Sequence, residues 1–475
     1  MSDVQPFFLA GNWASSDSLL EVRNPFNDEI VGITSFASAD QLEEAINAAT
    51  TVMPALRELA TFERAGILAN LASRMRGERD EIARLISLEA AKPIRDAEVE
   101  ADRGIFTVET AAEEAKRIDG EVLPLDLLPS SKGRFGIVRR FPIGPIAAIS
   151  PFNFPLNLAL HKLAPAIASG NSIVLKVPSN TPLTMLKIAT LLDGLGLPDG
   201  AVSILPMNRE VGDRLVDDDR FKLLSFTGSP DVGWSMKSRA GMKKVVLELG
   251  GNAGVLIDED ADLAFAASRV RVGAFAYAGQ VCISVQRVFI HERRFDEFVE
   301  LLLDETSKIV VGDPLARSTD LGPMIDDKAA IRTQTWVDQA VADGARLLTG
   351  GKANGRFFEP TVIAGAPRTA AICSKEAFAP LVNVFPVASF EAGIEGLNDS
   401  SFGLQAGVFT NNLDHGFRAF EAIETGGVII NDIPTYRIDH MPYGGIKQSG
   451  LGREGIKYAI EDMTEPRLMV VNRLG

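Results

Sequence analysis

Between Pro145 and Gly250 five short apolar runs alternate with stretches of helical periodicity, and this alternation constrains the fold more than any other feature of the chain. The runs are Ile146–Ser150, Ile173–Lys176, Val202–Leu205, Leu223–Phe226 and Val245–Leu249, bounded by Gly, Pro or Asn. The pattern predicts βαβ units and an α/β fold built on a parallel, doubly wound sheet. Ligands of such sheets bind outside the carboxyl ends of the strands.

Upstream, the first 25 residues read as irregular, with Pro6, Gly11, Asn24 and Pro25 as turn residues. Ser38 and Gln41 form an S-x-x-Q capping box that opens a helical pattern through Leu42, Ile46 and Ala49. Thr61 to Leu88 continues it, and Asp96 to Ile118 repeats it. Gly120 to Arg140, interrupted by Pro124, Pro129 and Gly133, reads as an extended hairpin that leaves the main body. A second α/β block runs from about Gly250 to Gly450. At 475 residues the chain is too long for one core and divides into two or three domains.

Charge and cysteine usage exclude several classes. A net charge of −15 repels phosphate backbones and anionic membranes, so nucleic acid and membrane are not expected partners. No run of about 18 apolar residues is present to span a bilayer. Residues Met1 to Ala10 carry Asp3 and no basic residue, unlike a secretory signal. Two cysteines, Cys282 and Cys373, make no disulfide framework, and cytoplasm is the expected compartment.

Three residue types in three settings point to covalent catalysis. Cys282 follows a helical stretch, Ala261 to Tyr277, within Gly279-Gln280-Val281-Cys282-Ile283-Ser284. A lone cysteine is more often a small buried hydrophobe, and Cys373 is read that way. Cys282 is read as a nucleophile because of its company. Glu248 ends a very apolar strand before Gly250-Gly251, where desolvation raises a carboxylate's pKa towards that of a general base; pairing with a surface Lys is the alternative. Asn153, in Ser150-Pro151-Phe152-Asn153-Phe154-Pro155, follows a buried strand and opens a helix with Pro155 at a starting position. Its amide suits a developing oxyanion, and an N-cap is the plainer role.

Nucleotide signals accompany them. Ser225-Phe226-Thr227-Gly228-Ser229-Pro230 ends a strand and begins a helix, a terminus that suits a phosphate. Lys176, at another strand end, is placed to bond a ribose or else is a solvated lysine. Gly450-Leu451-Gly452-Arg453-Glu454-Gly455 matches G-x-G-x-x-G letter for letter. It lacks a preceding strand and the acidic residue about 20 positions on, so it is set aside as a dinucleotide fingerprint.

Together these segments resemble the aldehyde dehydrogenase superfamily from Trp13 to Glu454, with the motifs in the family's order and Glu248 standing 34 residues before Cys282. The resemblance implies a Rossmann-type cofactor domain (1–118 and 142–249), an α/β catalytic domain (250–450) and a small β oligomerisation arm (119–141 and 460–475). It implies NAD or NADP as cofactor, and a homodimer or homotetramer. Cys282 would attack the aldehyde, Asn153 and the Cys282 N–H would hold the oxyanion, and Glu248 would activate the water that hydrolyses the thioester. Lys162 matches a proton-relay lysine. Lys176 would bind the adenosine ribose, Ser229 the pyrophosphate and Glu376 the nicotinamide ribose, with Phe378 beside the ring. Ser150, Pro151, Phe152, Gly228 and Leu249 would line the same cleft. The family's E-x-F-G-P reads Glu376-Ala377-Phe378-Ala379-Pro380 here, and its Lys-Pro-Ser-Glu reads Lys176-Val177-Pro178-Ser179. A carboxylate at Ser179 would repel a 2′-phosphate; serine does not, so NADP is admitted beside NAD.

Several further segments resemble the branch that acts on short hydrophilic aldehydes such as lactaldehyde, glyceraldehyde, phosphonoacetaldehyde and sulfolactaldehyde. His161 stands where that pocket is usually aromatic, and Arg103, Arg437 and His440 are candidate partners for an anionic substrate end. Surface or interface positions are the alternative for these four. An acylating enzyme that passes the thioester to coenzyme A generally lacks the Glu at position 248. A cysteine hydrolase finds no partner pattern in His161, His291, His415 and His440. No G-x-S-x-G and no H-E-x-x-H occurs, so serine-hydrolase and metal readings lack support. A non-catalytic protein on this fold would not need Cys282, Glu248 and Asn153 together.

Overall fold

The computed structural model describes residues 4–473. Met1–Asp3, in the N-terminal segment read above, and Leu474–Gly475, at the end of the expected arm, lie outside the described residues.

All five expected strands form, as Ile146–Ile149, Ile173–Val177, Val202–Pro206, Leu223–Thr227 and Lys244–Glu248. They pair in parallel, and Ile146–Ile149 lies between Ile173–Val177 on one side and Leu223–Thr227 on the other. Strand order therefore reverses beside Ile149, which creates the crevice where ligands of doubly wound sheets sit. Residues 150–156 turn out of that crevice into the helix Asn157–Ser169, every residue of which is buried. The helix starts two residues after Pro155, so the proline shapes the turn rather than the first helical position.

The N-terminal segment is not irregular as expected. Phe7–Leu9 and Asn12–Ala14 form an antiparallel pair that joins this sheet through Phe8 and Ile204, and Gly450–Leu451 on the opposite edge brings it to eight strands. Leu19–Arg23 and Ile30–Ser35 make a separate hairpin. Three-residue strands are too short to show a period of two, so only their docking on the sheet edge reveals them. The Ser38–Gln41 capping box forms as expected. The Thr61–Leu88 pattern divides into helices Thr61–Gly77 and Arg79–Ala90, broken at Glu78. The next helix runs Ile94–Ala115, directly after Pro93.

A second sheet of seven strands carries its own core, from Val255 to Ile433. The first core spans Phe7 to Leu249 and takes in Ile456, Ile460 and Met463, so Ile460 and Met463 pack into the core of the first sheet. Gly120–Pro124, Arg134–Pro142 and Thr464–Asn472 form a three-stranded antiparallel sheet, with Arg134–Pro142 in the middle.

Helix Ile94–Ala115 crosses Asn157–Ser169 at Gly104, where an added Cβ would lie 2.7 Å from Leu156 Cδ2 and 3.1 Å from Leu160 Cδ1. Gly104→Val should force the two helices apart. Overpacking of this kind costs about 1–3 kcal/mol, which a lowered urea midpoint should register.

Candidate active site

Cys282 sits in the loop between helix Leu263–Phe275 and strand Arg287–His291. The approach to it is strained: Tyr277, Ala278 and Gly279 have φ of 48°, 52° and 66°. Non-glycine residues in this region persist only where their surroundings hold them. Tyr277 donates its hydroxyl hydrogen to Ala90 O (3.0 Å), and the Gln280 Oε1 accepts from Ile325 N (2.9 Å). At Gly279 a Cβ would meet Ala379 O at 2.1 Å, and at Gly251 one would meet Cys282 O at 2.2 Å. Gly250-Gly251 thus serves close backbone approach, here to the nucleophile's own loop. Asn153 caps no helix; its Nδ2 donates to Gln280 O at 2.9 Å, tying the turn after the first strand to the Cys282 loop.

One narrow cleft brings Cys282, Glu248 and Asn153 together, with Arg103, Asn157, Thr227, Arg437 and Tyr443 around them. Glu248 is buried, and neither carboxylate oxygen has a hydrogen-bond partner among the described residues. Burial first, and then the nearby Glu454, push its pKa well above the ordinary carboxylate range, against the pull of Arg437 and Lys162. Burial, Glu376 and Glu248 likewise push the Cys282 thiol far up, so at rest it is a neutral thiol. A proton acceptor or a nearby positive charge is required to make it a nucleophile.

Lys162 is fully buried on the helix Asn157–Ser169. Its Nζ donates to Thr227 Oγ1 (2.7 Å) and Glu454 Oε1 (3.0 Å). Arg437 donates to the other oxygen, Oε2, at 3.0 Å, and its guanidinium lies 3.7 Å from the Tyr443 ring centroid. Although burial opposes it, Lys162 and Arg437 hold the Glu454 carboxyl down at about 2. Glu454 was missed from the sequence because it lies in the G-x-G-x-x-G match. Gly450–Leu451 of that match is a short strand antiparallel to Leu247–Glu248, and Ile446–Lys447 is a short strand before it. The available signal was Lys162 itself: a cation inside an otherwise apolar helix needs a buried anion.

The four candidate substrate residues separate. Arg103 lines the cleft and clamps Asp439 with Nε (3.1 Å) and Nη2 (2.7 Å). Asp439 also accepts from Asn157 Nδ2 (3.0 Å) and lies 2.8 Å from His161 Nε2. His161 is not a cleft residue as expected: its side chain is 0% exposed, behind the cleft wall on Asp439. Burial and the Arg437 charge lower its pKa, so the imidazole is neutral and donates to Asp439. His440 is not in the cleft either. It is exposed, edge-on to Phe106. Arg437 lines the cleft, but Glu454 already engages it.

The expected nucleotide residues gather at the carboxyl ends of the first sheet. Helix Pro230–Arg239 starts at Ser229, whose exposed hydroxyl caps nothing, and Gly228 N donates to Glu248 O at 3.0 Å. Gly233 lets this helix close on Leu249, since a Cβ there would stand 2.4 Å from Leu249 Cδ2. Lys176 ends the strand beside buried Ser150, with Ser179 on the turn that follows. Glu376 accepts from Gly251 N (3.0 Å), and burial raises its pKa to about 7. Phe152, after Pro151, meets Phe378 edge-on at 6.0 Å. A free helix N-terminus, a lysine next to a strand end and a half-buried carboxyl along one crevice fit a dinucleotide.

Comparison with known proteins agrees with this geometry. The model of the aldehyde dehydrogenase family matches residues 13–469. The chain is 41% identical over 466 residues to 3-sulfolactaldehyde dehydrogenase of Priestia aryabhattai, covering 98% of this chain and 97% of that protein. Its structure resembles aldehyde dehydrogenase 21 of Physcomitrella patens in complex with the reaction product succinate (TM-score 0.98, 43% identity, 100% and 99% of the two chains). It also resembles glyceraldehyde-3-phosphate dehydrogenase of Methanocaldococcus jannaschii complexed with NADP (TM-score 0.92, 37% identity, 96% and 99%). The chain belongs to the aldehyde dehydrogenase family and is an NAD(P)-dependent oxidoreductase acting on aldehydes.

Proposed function

We propose that this enzyme oxidises a short aldehyde bearing a hydroxyl or anionic group within two carbons of the carbonyl, through a thioester on Cys282. The observation that carries the mechanism is the buried Glu248 carboxyl, unpartnered and in the same cleft as Cys282 and Asn153. The Cys282 thiol gives its proton to solvent as Sγ adds to the aldehyde carbon, and the resulting thiohemiacetal oxyanion is held by the Asn153 amide and the Cys282 backbone N–H. Lys176, Ser229 and Glu376 would hold NAD(P), which when bound would accept the hydride that the thiohemiacetal loses in becoming a thioester. Glu248 then takes a proton from water, the water attacks the thioester carbon, and the acid leaves as the thiol is restored. Lys162, bonded to Glu454 and Thr227, supports proton movement at Glu248. Ser179 carries no charge, so either NAD or NADP is accommodated.

Charge and size favour a short anionic substrate. The charged side chains that line the cleft are Arg103, Arg437 and Glu248, so two cations stand against one carboxyl. The cleft holds about 60 Å³, which suits a few heavy atoms rather than a long alkyl chain. The sulfonate, carboxylate and phosphate in the names of the three relatives are all anions. Arg103 is the residue we assign to that group, with His161 acting behind it through Asp439.

We further propose a homodimer or homotetramer, located in the cytoplasm. The arm exposes Val122, Leu127, Leu128, Leu468, Met469 and Val470 beside free sheet edges, a surface that calls for another subunit. Light scattering at micromolar concentration should give a dimer or tetramer mass, and a monomer would refute this assignment.

Glu248→Gln should leave the first burst of reduced cofactor in place and slow steady turnover by about 10²-fold or more. Glu248 acts only when ionised, and its pKa is raised. Wild-type hydrolysis should therefore climb with pH well above the usual carboxylate value of about 4.3, and the Gln variant should lose that climb. An unchanged steady rate would remove Glu248 from the role.

Arg103→Ala should lower kcat/KM for succinic semialdehyde by about ten- to a hundredfold, the loss of one charge-assisted contact, while a neutral aldehyde of equal length changes little. Equal losses for both substrates, or a wild-type preference for hexanal or benzaldehyde, would contradict the substrate class.

A further inference from the structure

A buried ion pair outside the cleft touches both halves of the site. The side chains of Lys92 and Glu100 are 1% and 0% exposed and bond to each other, and neither lines the cleft. Lys92 Nζ lies 3.7 Å from the Phe154 ring centroid and 4.5 Å from that of Tyr277, and the two rings meet edge-on at 6.4 Å. Phe154 directly follows Asn153. Tyr277 opens the left-handed segment that leads to Cys282, and its hydroxyl is bonded to Ala90 two residues before Lys92. Glu100 Oε2 holds Lys92, while Oε1 accepts from Leu156 N (3.0 Å) and Asn157 N (3.2 Å), where the Asn153 turn enters its helix.

We propose that Lys92 and Glu100 are the positioning pair of the oxyanion site, registering the Asn153 turn against the Cys282 loop through Phe154, Tyr277 and the first amides of helix Asn157–Ser169. This rests on the reading of Cys282 and Asn153 given above. Asn153 follows a strand of the first sheet and Cys282 precedes a strand of the second, so their relative placement is not fixed by either core alone. The bond from Asn153 Nδ2 to Gln280 O joins them at one point, about which the turn can still pivot. The cation between the Phe154 and Tyr277 rings adds a second attachment, and the Glu100 carboxylate fixes the far end of the turn. Oxyanion stabilisation depends on sub-ångström donor placement, so loss of this register acts on rate before it acts on binding. A hydrocarbon pair would fill the same volume without desolvating two charges, which is why specificity of arrangement, rather than stability, is the role assigned.

The test uses the whole enzyme with saturating NADP and excess enzyme over aldehyde, so that one turnover of reduced-cofactor formation is followed. Lys92→Met combined with Glu100→Gln removes both charges, keeps an acceptor for the two amides and leaves no unpaired charge. Its single-turnover rate constant should fall at least about tenfold, with amplitude and NADP affinity unchanged. A merely structural role would lower the amplitude and leave the rate constant at the wild-type value; that result overturns the proposal. Tyr277→Phe keeps the ring and drops only the bond to Ala90, and should slow the same rate constant about threefold. Should the double variant not fold, a wild-type rate constant in Tyr277→Phe overturns the proposal by itself. Cys282→Ala is run beside them. Turnover there overturns the cysteine mechanism and this inference together, whereas a dead Cys282→Ala beside wild-type rates in the other variants overturns this inference alone.

Discussion

The active site is arranged around a buried carboxyl group that has no hydrogen-bond partner among the described residues. Glu248 ends a strand whose neighbours are Leu247 and Leu249, and burying a polar group unpaired costs several kcal/mol in the ionised form. The site is arranged to keep it so. Gly444 approaches its Oε1 where a side chain would not fit, while the nearby cations Lys162 and Arg437 are engaged by Glu454. Glu454 thereby takes the ionised state that Glu248 gives up: Lys162 and Arg437 drive the Glu454 carboxyl down, while burial and the Glu454 charge drive that of Glu248 up against the pull of the same cations. The proposed base is desolvated and poised because its neighbour absorbs the positive charge.

Asp439 plays the equivalent part on the substrate side. It gathers Arg103, Asn157 and His161, and these fix the Arg103 guanidinium at the cleft. His161 is thus a supporting residue whose ring never reaches the substrate space. The family resemblance implied a place for it in the pocket wall. The error lies in direction, because a helix interior turns successive side chains through about 100° and only packing decides which faces the cleft.

The inner strands were legible because an apolar run between turn residues, repeated with helices between, has few alternatives to a parallel sheet. Phe7–Leu9 and Asn12–Ala14 were not, since three residues carry no period. Among site residues, Cys282, Glu248 and Asn153 were marked by chemistry that is wasteful unless used, each beside glycine or proline that shapes a tight approach. Glu454 carried no such mark, and a glycine-rich pattern of another meaning drew attention away from it.

By itself the sequence determined the parallel sheet, the family and the set of reactive groups, because periodicity, turn residues and motif order are local properties of a chain. Only the tertiary structure decided which charges pair. Lys162 meets Glu454 across 292 positions and Arg103 meets Asp439 across 336, while Lys92 sits between two rings from different segments. Electrostatic pairing in a low-dielectric interior depends on distances of a few ångströms, and no local pattern encodes those for groups hundreds of residues apart.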